Sequence, residues 1–451
     1  MTPPNALPDI ASGRLPPADY ARNFADAHPP LNAIQARLEA ERCYYCFDAP
    51  CIAACPTGID IPSFIARIAQ GNLRGAARTI LEANILGGMC ARVCPTEVLC
   101  EQACVRNTQE DKPVEIGLLQ RHATDAYFAA PGAPLFTRAA PSGKRVAVVG
   151  AGPAGLACAH RLAMLGHAVV LFDDKPKLGG LNEYGLATYK TVDNFAQKEI
   201  DWLLSIGGIE VKASHCLGRD MQLDELVRDF DAVFLGLGLA GVNALGLGAE
   251  AEAGSRAAVD FIAELRQAES PAEVPVGRRV LVIGGGMTAV DAAVQSRLLG
   301  AEEASIVYRR GPEAMSASGH EQQWARQNGV VIRHWAAPKQ LLLENGRVSG
   351  MRFVRTRLDG NKLVETGESF DLPADVVLRA IGQSFVAEPI ANVGSALALQ
   401  DGRIATDAEG KTSHPKVWAG GDCRAGGRDL TVEAVEHGKV AAIAIDRTLR
   451  A

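Results

Sequence analysis

The sequence predicts a multidomain α+β chain in which a cysteine-rich α-helical domain precedes two Rossmann-like α/β nucleotide-binding domains, one inserted in the other. Three observations carry this. Eight of the eleven cysteines lie between residues 43 and 104. Two glycine-rich loops, GAGPAG at 150–155 and GGGMTA at 284–289, each follow an apolar β-type run. A third glycine-rich unit, VWAGGDCRAGG at 417–427, precedes a long helical pattern. The 451 residues suit about three domains.

Composition bounds the class. The chain is 47% hydrophobic and 22% charged, ordinary for a globular protein. Its net charge of −6 makes no electrostatic case for nucleic acid or an anionic membrane. The N-terminal residues lack a basic start and an apolar core, so no signal peptide is expected. The apolar stretch 146–172 is broken by glycines, His160, Arg161 and His167, which reads as strand–helix–strand rather than a membrane span. A cytoplasmic location follows as the expectation. There, clustered cysteines bind metal more often than they form disulfides.

The first cysteine group, CYYCFDAPCIAACP, holds Cys43, Cys46, Cys51 and Cys55 at spacings x2, x4 and x3. The second, CARVCPTEVLCEQAC, holds Cys90, Cys94, Cys100 and Cys104 at x3, x5 and x3. Short loops let thiolates converge, and the prolines after Cys55 and Cys94 turn the chain away. This is a pattern of iron–sulfur proteins, where the cysteine before proline often serves the other cluster of a pair. Two four-thiolate zinc sites are the competing reading, but they favour C-x2-C pairs, and only one is present. Cys158, Cys216 and Cys423 are isolated and read as structural. Between the two groups, Asp60 and Pro62 signal a helix start, and Ile61, Phe64, Ile65 and Ile68 mark one apolar face. Gly71 and Asn72 interrupt, and a second helix is expected to Leu86. Residues roughly 30–130 thus form a small helical domain.

In the first nucleotide loop, Gly150, Gly152, Pro153, Ala154 and Gly155 join a strand to a helix, and Asp173 ends the next strand. Glycines allow pyrophosphate to approach the helix N-terminus, and an acid about 20 residues on bonds the ribose. Gly180 and Leu181 follow at a second glycine turn. The other loop offers Gly284, Gly286, Thr288 and Ala289. Its ribose position reads Tyr308, Arg309, Arg310, and arginine there accommodates a 2′-phosphate, a lean toward NADP(H). In the third unit, Gly421 and Asp422 follow a strand and Asp422 is expected to bond a flavin's ribityl chain, while the helix N-terminus at Thr431 and Val432 is expected to face the flavin or its pyrophosphate. Ala380 and Gly382, in VVLRAIGQ (376–383), return the chain from nicotinamide to flavin domain. The expected division is 1–140 helical domain and linker, 141–245 flavin domain, 246–383 nicotinamide domain, and 384–451 flavin domain resumed.

From about residue 31 onward the chain resembles the electron-input part of dihydropyrimidine dehydrogenases, notably the small subunit of the bacterial NAD-dependent enzyme. The glutamate synthase small subunit has the same organisation. The discriminating residue is Gln120, sixteen positions after Cys104. By this resemblance Cys43, Cys46, Cys51 and Cys104 hold one [4Fe–4S] cluster, and Cys55, Cys94, Cys100 and Gln120 the other. Cys90 is then a non-ligand, and Val93 packs near FAD. Read without the resemblance, each cysteine quartet serves its own cluster. The sequence departs from the family in two places. Lys190 stands where an arginine is frequent, and Ser316 replaces a basic residue of the 2′-phosphate site. NADH and NADPH therefore both remain open.

The implied chemistry is hydride transfer from NAD(P)H to FAD, then single electrons through two [4Fe–4S] clusters. It requires no catalytic side chain beyond the cofactors. Glu321 is placed at the border of the nicotinamide pocket. The implied partner is a large subunit carrying FMN and iron–sulfur clusters that reduces uracil or thymine. The alternatives are a glutamate synthase small subunit, a disulfide reductase and a zinc-bound interaction domain. Residues 277–330 contain no cysteine, which disfavours the disulfide reductase.

Overall fold

The computed structural model describes residues 9–130, 132–247, 254–391 and 397–451. Residues 33–129 are helical: α1 (Ala33–Glu41), α2 (Pro50–Ala54), α3 (Ile61–Ala69), α4 (Leu73–Ala83), α5 (Gly87–Val93) and α6 (Ile116–Ala129). Asp60 caps α3 by accepting the Ser63 N–H at 3.1 Å. Ile61, Phe64, Ile65 and Ile68 are all buried, at roughly 1.5–3 kcal/mol per large apolar side chain. Asn72 caps α4 through the Gly75 N–H. The second helix stops at Ala83 rather than Leu86. Asn84 turns extended there, and its side chain accepts the Leu86 N–H.

The α/β part follows: β1 (Arg145–Val149), α7 (Pro153–Met164), β2 (Ala168–Phe172), α8 (Phe195–Leu204), β3 (Ile209–Lys212) and β4 (Ala232–Leu235). Next come β5 (Ser255–Ala257), β6 (Arg279–Gly284), α9 (Met287–Leu298), β7 (Glu303–Val307), α10 (Gly319–Gln327) and β8 (Val331–Arg333). Three long strands, β9 (Ala336–Glu344), β10 (Arg347–Asp359) and β11 (Lys362–Pro373), lead to β12 (Val376–Ala380). The chain closes with β13 (Val417–Ala419) and α11 (Thr431–Arg450).

Two compact units result. One comprises His28–Glu183, Asp193–Gly241 and Ser384–Ala451; the other Met1–Ala27, Tyr184–Val192 and Val242–Gln383. In the first unit a parallel sheet runs in the order β13-β4-β1-β2-β3. Its β1 is buried from Val146 to Val149, as a parallel strand covered on both faces must be. The strand order reverses at β1, and an open α/β sheet binds ligands at such a switch point. In the second unit a parallel sheet runs β8-β7-β6-β12-β5, so VVLRAIGQ supplies a strand beside the nicotinamide loop's own. The antiparallel β9-β10-β11 sheet belongs to the same unit. Residues 9–27, although they precede the helices in sequence, belong here too: Ile10 pairs with Gly277, and Asn23 donates to Leu298 O at 3.0 Å.

Candidate functional site

The cysteines of the two sequence groups interleave. Cys43, Cys46, Cys51 and Cys104 line one cleft with Ile61, Ile65 and Val114. Tyr45 turns this loop with a left-handed φ of 50°, and its N–H donates to Cys43 Sγ at 3.5 Å. Burial pushes the Cys43 and Cys51 thiols up, Cys51 to about 11, and neighbouring sulfurs add to it. The Cys94 thiol is raised by a hydrogen bond with Cys90, by burial, and by Cys100 and Cys55. Burial, Glu101, Cys55 and Cys51 raise Cys100. Cys94 thus lies beside Cys90, Cys100 and Cys55, and of these Cys90 is the buried one. Thiols that raise one another lose that penalty when a metal takes their protons, so the donor set suits a thiolate-bound metal centre and fits [4Fe–4S]. Among the described residues no three His, Cys, Asp or Glu side chains gather tightly enough for a single metal ion. A cubane, several atoms across, spreads its ligands wider.

Gln120 is buried on α6, which packs against α5. Its Nε2 donates to Gly87 O at 2.7 Å. That bond fixes the amide orientation, and Oε1 accepts no hydrogen bond among the described residues. Val93 and Cys94 stand at the other end of α5, both half-buried.

One clamp on α5 escaped the sequence. Glu199, fully buried on α8, accepts the N–H groups of Gly88 at 2.7 Å and Met89 at 3.1 Å. Burial pushes its carboxyl up to about 8. A Cβ on Gly88 would stand 2.8 Å from the Glu199 Oε1 and 2.6 Å from the Phe195 ring, so only glycine admits this approach. Arg92 stacks on Phe195 at 3.4 Å and pairs with Asp125 on α6 at 2.6 Å. The adjacent glycines 87 and 88 were the available signal.

The flavin loop lies at the end of β1. Gly150 has φ 94°, and a Cβ there would meet Gly236 O at 2.2 Å. A Cβ on Gly155 would lie 1.7 Å from Gly150 O. Gly152 differs: its Cβ would meet nothing nearer than Gly180 Cα at 3.9 Å. That open side, beside the first turn of α7, is the space a pyrophosphate needs. Pro153 is the first helical residue, where no N–H is missed, and Ala154 is buried. The Asp173 carboxylate accepts the Ala151 N–H at 2.6 Å and the Lys175 N–H at 2.9 Å. Burial nevertheless raises its pKa. Gly180 holds φ 55°, and Leu181 starts a short turn whose Asn182 accepts the Thr431 hydroxyl at 2.8 Å. Val432 is buried beside it. Gly421, at φ 81°, donates its N–H to the His437 ring at 3.2 Å. Burial pushes the Asp422 carboxyl up to about 6. Cradle, turn and helix N-terminus fit FAD.

The nicotinamide loop repeats the device. Gly284 has φ 151°, and its Cβ would meet Ala380 O at 2.1 Å. A Cβ on Gly286 would meet only the Ser316 hydroxyl, at 3.2 Å, a side-chain tip that would have to give slightly. Thr288 follows in α9, and Ala289 is fully buried. Arg309 and Arg310 are exposed, and among the described residues their side chains make no ion pair. Gly382, at φ 95°, accepts the Asn243 N–H at 3.2 Å. Lys190 is placed away from solvent: its ammonium contacts Asp291 at 2.8 Å and Glu321 at 3.0 Å. Burial opposes its charge, but the two carboxylates outweigh that and hold its pKa above the usual value. Tyr189 donates to the same Asp291 at 3.2 Å, and Glu321 Oε2 is buried without a partner.

Comparison with known proteins agrees with this anatomy. Residues 20–131 match the family described as dihydropyrimidine dehydrogenase domain II, 4Fe-4S cluster. Residues 144–438 match the pyridine nucleotide-disulphide oxidoreductase family. The chain is 36% identical to the glutamate synthase [NADPH] small chain of Escherichia coli K12, over 93% of this chain and 92% of that one. It is 33% identical to the NAD-dependent dihydropyrimidine dehydrogenase subunit PreT of Escherichia coli O157:H7, over 96% and 98%. Among solved structures, Mycobacterium tuberculosis FprA in complex with NADPH superposes with a TM-score of 0.57 at 21% identity, over 68% of this chain and 84% of that one. That likeness concerns the fold. Among the described residues no helix is long and apolar enough to cross a membrane. The chain belongs to the family of iron–sulfur flavoprotein oxidoreductases that includes the glutamate synthase small chain and PreT, and its cofactors are FAD, [4Fe–4S] and NAD(P)H.

Proposed function

We propose that this chain is the electron-input subunit of a pyrimidine-reducing enzyme, working with a large subunit that carries FMN and iron–sulfur clusters and reduces uracil or thymine. FAD supplies the conversion of a hydride from NAD(P)H into single electrons, which two [4Fe–4S] clusters carry. Cys43, Cys46, Cys51 and Cys104 hold one cluster; Cys55, Cys94, Cys100 and Gln120 hold the other. Gly150, Gly152, Gly155, Asp173, Gly421 and Asp422 seat FAD. Gly284, Gly286, Arg309 and Arg310 seat the nicotinamide nucleotide, and the unpaired arginines favour NADPH.

The observation that carries the pyrimidine reading is Gln120, whose Nε2 is committed to Gly87 O and whose Oε1 is left as a free donor atom. A second reading, delivery of electrons for glutamate synthesis, draws on the 36% identity to that small chain. The isolated chain should oxidise NAD(P)H with an artificial dye and leave uracil untouched. With its partner added, dihydrouracil should form from uracil. Glutamate formed instead from 2-oxoglutarate and glutamine supports the second reading. Uracil reduction by this chain alone, or no dye reduction by flavin-loaded chain, refutes the proposal.

A further inference from the structure

Large apolar side chains exposed to solvent are scattered singly over most of this protein, as on most proteins. One stretch departs from that. Of the fourteen such residues among those described, five fall within residues 34–47. Ile34 and Leu38, one helical turn apart on α1, are 74% and 61% exposed. Tyr44 and Tyr45 are 46% and 43% exposed, and Phe47 is fully so at 106%. Phe47 sits between Cys46 and Cys51, and both tyrosines between Cys43 and Cys46. Charges fringe the patch: Arg37 pairs with Glu41 at 3.2 Å, and Arg106 lies over the Tyr44 ring at 3.9 Å. An apolar centre rich in aromatics inside a charged fringe is the anatomy of a protein interface.

We propose that residues 34–47 form the docking surface for the electron-accepting partner, a protein whose own flavin or iron–sulfur centre lies near the surface it presents. This rests on the function proposed above. NAD(P)H gives up two electrons and a proton as hydride, leaving NAD(P)+; the electrons depart singly and reduce the partner's acceptor, and the proton is released to solvent. Tyr44 lines the same cleft as Cys43 and Cys46, and Phe47 directly follows Cys46, so a partner seated there brings its acceptor close to the candidate cluster. A second copy of this chain would set like against like, and no net transfer would follow. Redox chemistry therefore selects a different protein.

The test uses the loaded full chain, tagged at its exposed C-terminus and isolated from its native cells with its bound partner. Amide hydrogen exchange is compared with that of the free chain. The expected result is a co-purifying chain that carries flavin or iron–sulfur and protects residues 33–48. Phe47→Ser, and separately Ile34→Ser with Leu38→Ser on α1, should weaken that association at least tenfold. NADPH–dye reduction, iron content and low-temperature paramagnetic resonance should stay unchanged. Protection elsewhere, binding indifferent to both variants, coverage by a second copy, or no redox protein co-purifying overturns the inference. Failure of the free chain to reduce the dye refutes instead the function on which it rests.

Discussion

The loops Gly150–Gly155 and Gly284–Ala289 close in the same way and differ in what surrounds them. Each opens on a glycine whose Cβ would strike the carbonyl of the neighbouring strand, Gly236 O at 2.2 Å and Ala380 O at 2.1 Å. At the sixth position one loop demands glycine, since a Cβ on Gly155 would lie 1.7 Å from Gly150 O. The other buries the methyl of Ala289. The registers match: Val149 pairs with Phe172 and Ile283 with Val307, so Asp173 and Tyr308 follow at equivalent places. One loop has a carboxylate at that place, the other a tyrosine followed by two arginines. The supports differ as well. Helix α7 packs so closely on α11 that a Cβ on Gly438 would lie 2.0 Å from Ala154 O. Helix α9 instead carries buried Asp291, paired with Lys190. Backbone geometry thus makes both sites, and side chains beyond the second strand distinguish them.

Breaking the backbone should cost most. Gly155→Ala places a methyl against a carbonyl that cannot move away, and a loss of more than ~4 kcal/mol with no bound flavin is expected. Denaturation midpoint and flavin absorbance report it. Lys190→Met comes next, leaving Asp291 and Glu321 buried without their cation, for about 3–5 kcal/mol. Burial already raises the Asp291 pKa. Without Lys190, the folded-state pKa of Asp291 should stand further above its unfolded value. The folded state then binds more protons, so the variant should regain stability as pH falls and lose it as pH rises through that value. Urea titrations at several pH values test this; a deficit that grows on acidification contradicts it.

Replacing Arg309 and Arg310 by glutamine should raise KM for NADPH and spare NADH. A charge-assisted hydrogen bond is worth about 1.5–3 kcal/mol, or ~10–150-fold. Equal effects on both nucleotides would remove the 2′-phosphate assignment. Ala289→Gly should do least, about 1 kcal/mol of helix propensity, against the much larger loss at Gly155. Comparable losses at the two positions would erase the contrast.

The architecture was readable because its signals are local. Cysteine spacings, glycines ahead of helices and apolar strands all lie within short windows, and the family and fold bear that reading out. What escaped lies in long-range contacts. Glu199 reaches α5 across about 110 residues of chain, and nothing near it in sequence marks a helix clamp. Lys190 was singled out by its place in a motif, but its two buried carboxylates lie about 100 and 131 residues on. The amides of Ala151 and Lys175 on Asp173 follow from the loop's path, which spacing does not encode. The early stop of α4 turned on one Asn84 side-chain bond.

The central claim is that electrons enter at the second loop, pass to FAD at the first and leave through the cysteine-rich domain. Gly152→Val isolates the middle step. At φ −71° and with open space beside it, valine should leave the fold intact and fill the place proposed for the pyrophosphate. Low-temperature paramagnetic resonance after anaerobic NADPH addition is the measurement. NADPH should raise the reduced iron–sulfur signal in the loaded wild-type chain. In flavin-free Gly152→Val it should raise none, although dithionite still does. An NADPH-driven signal in the flavin-free variant would contradict the account.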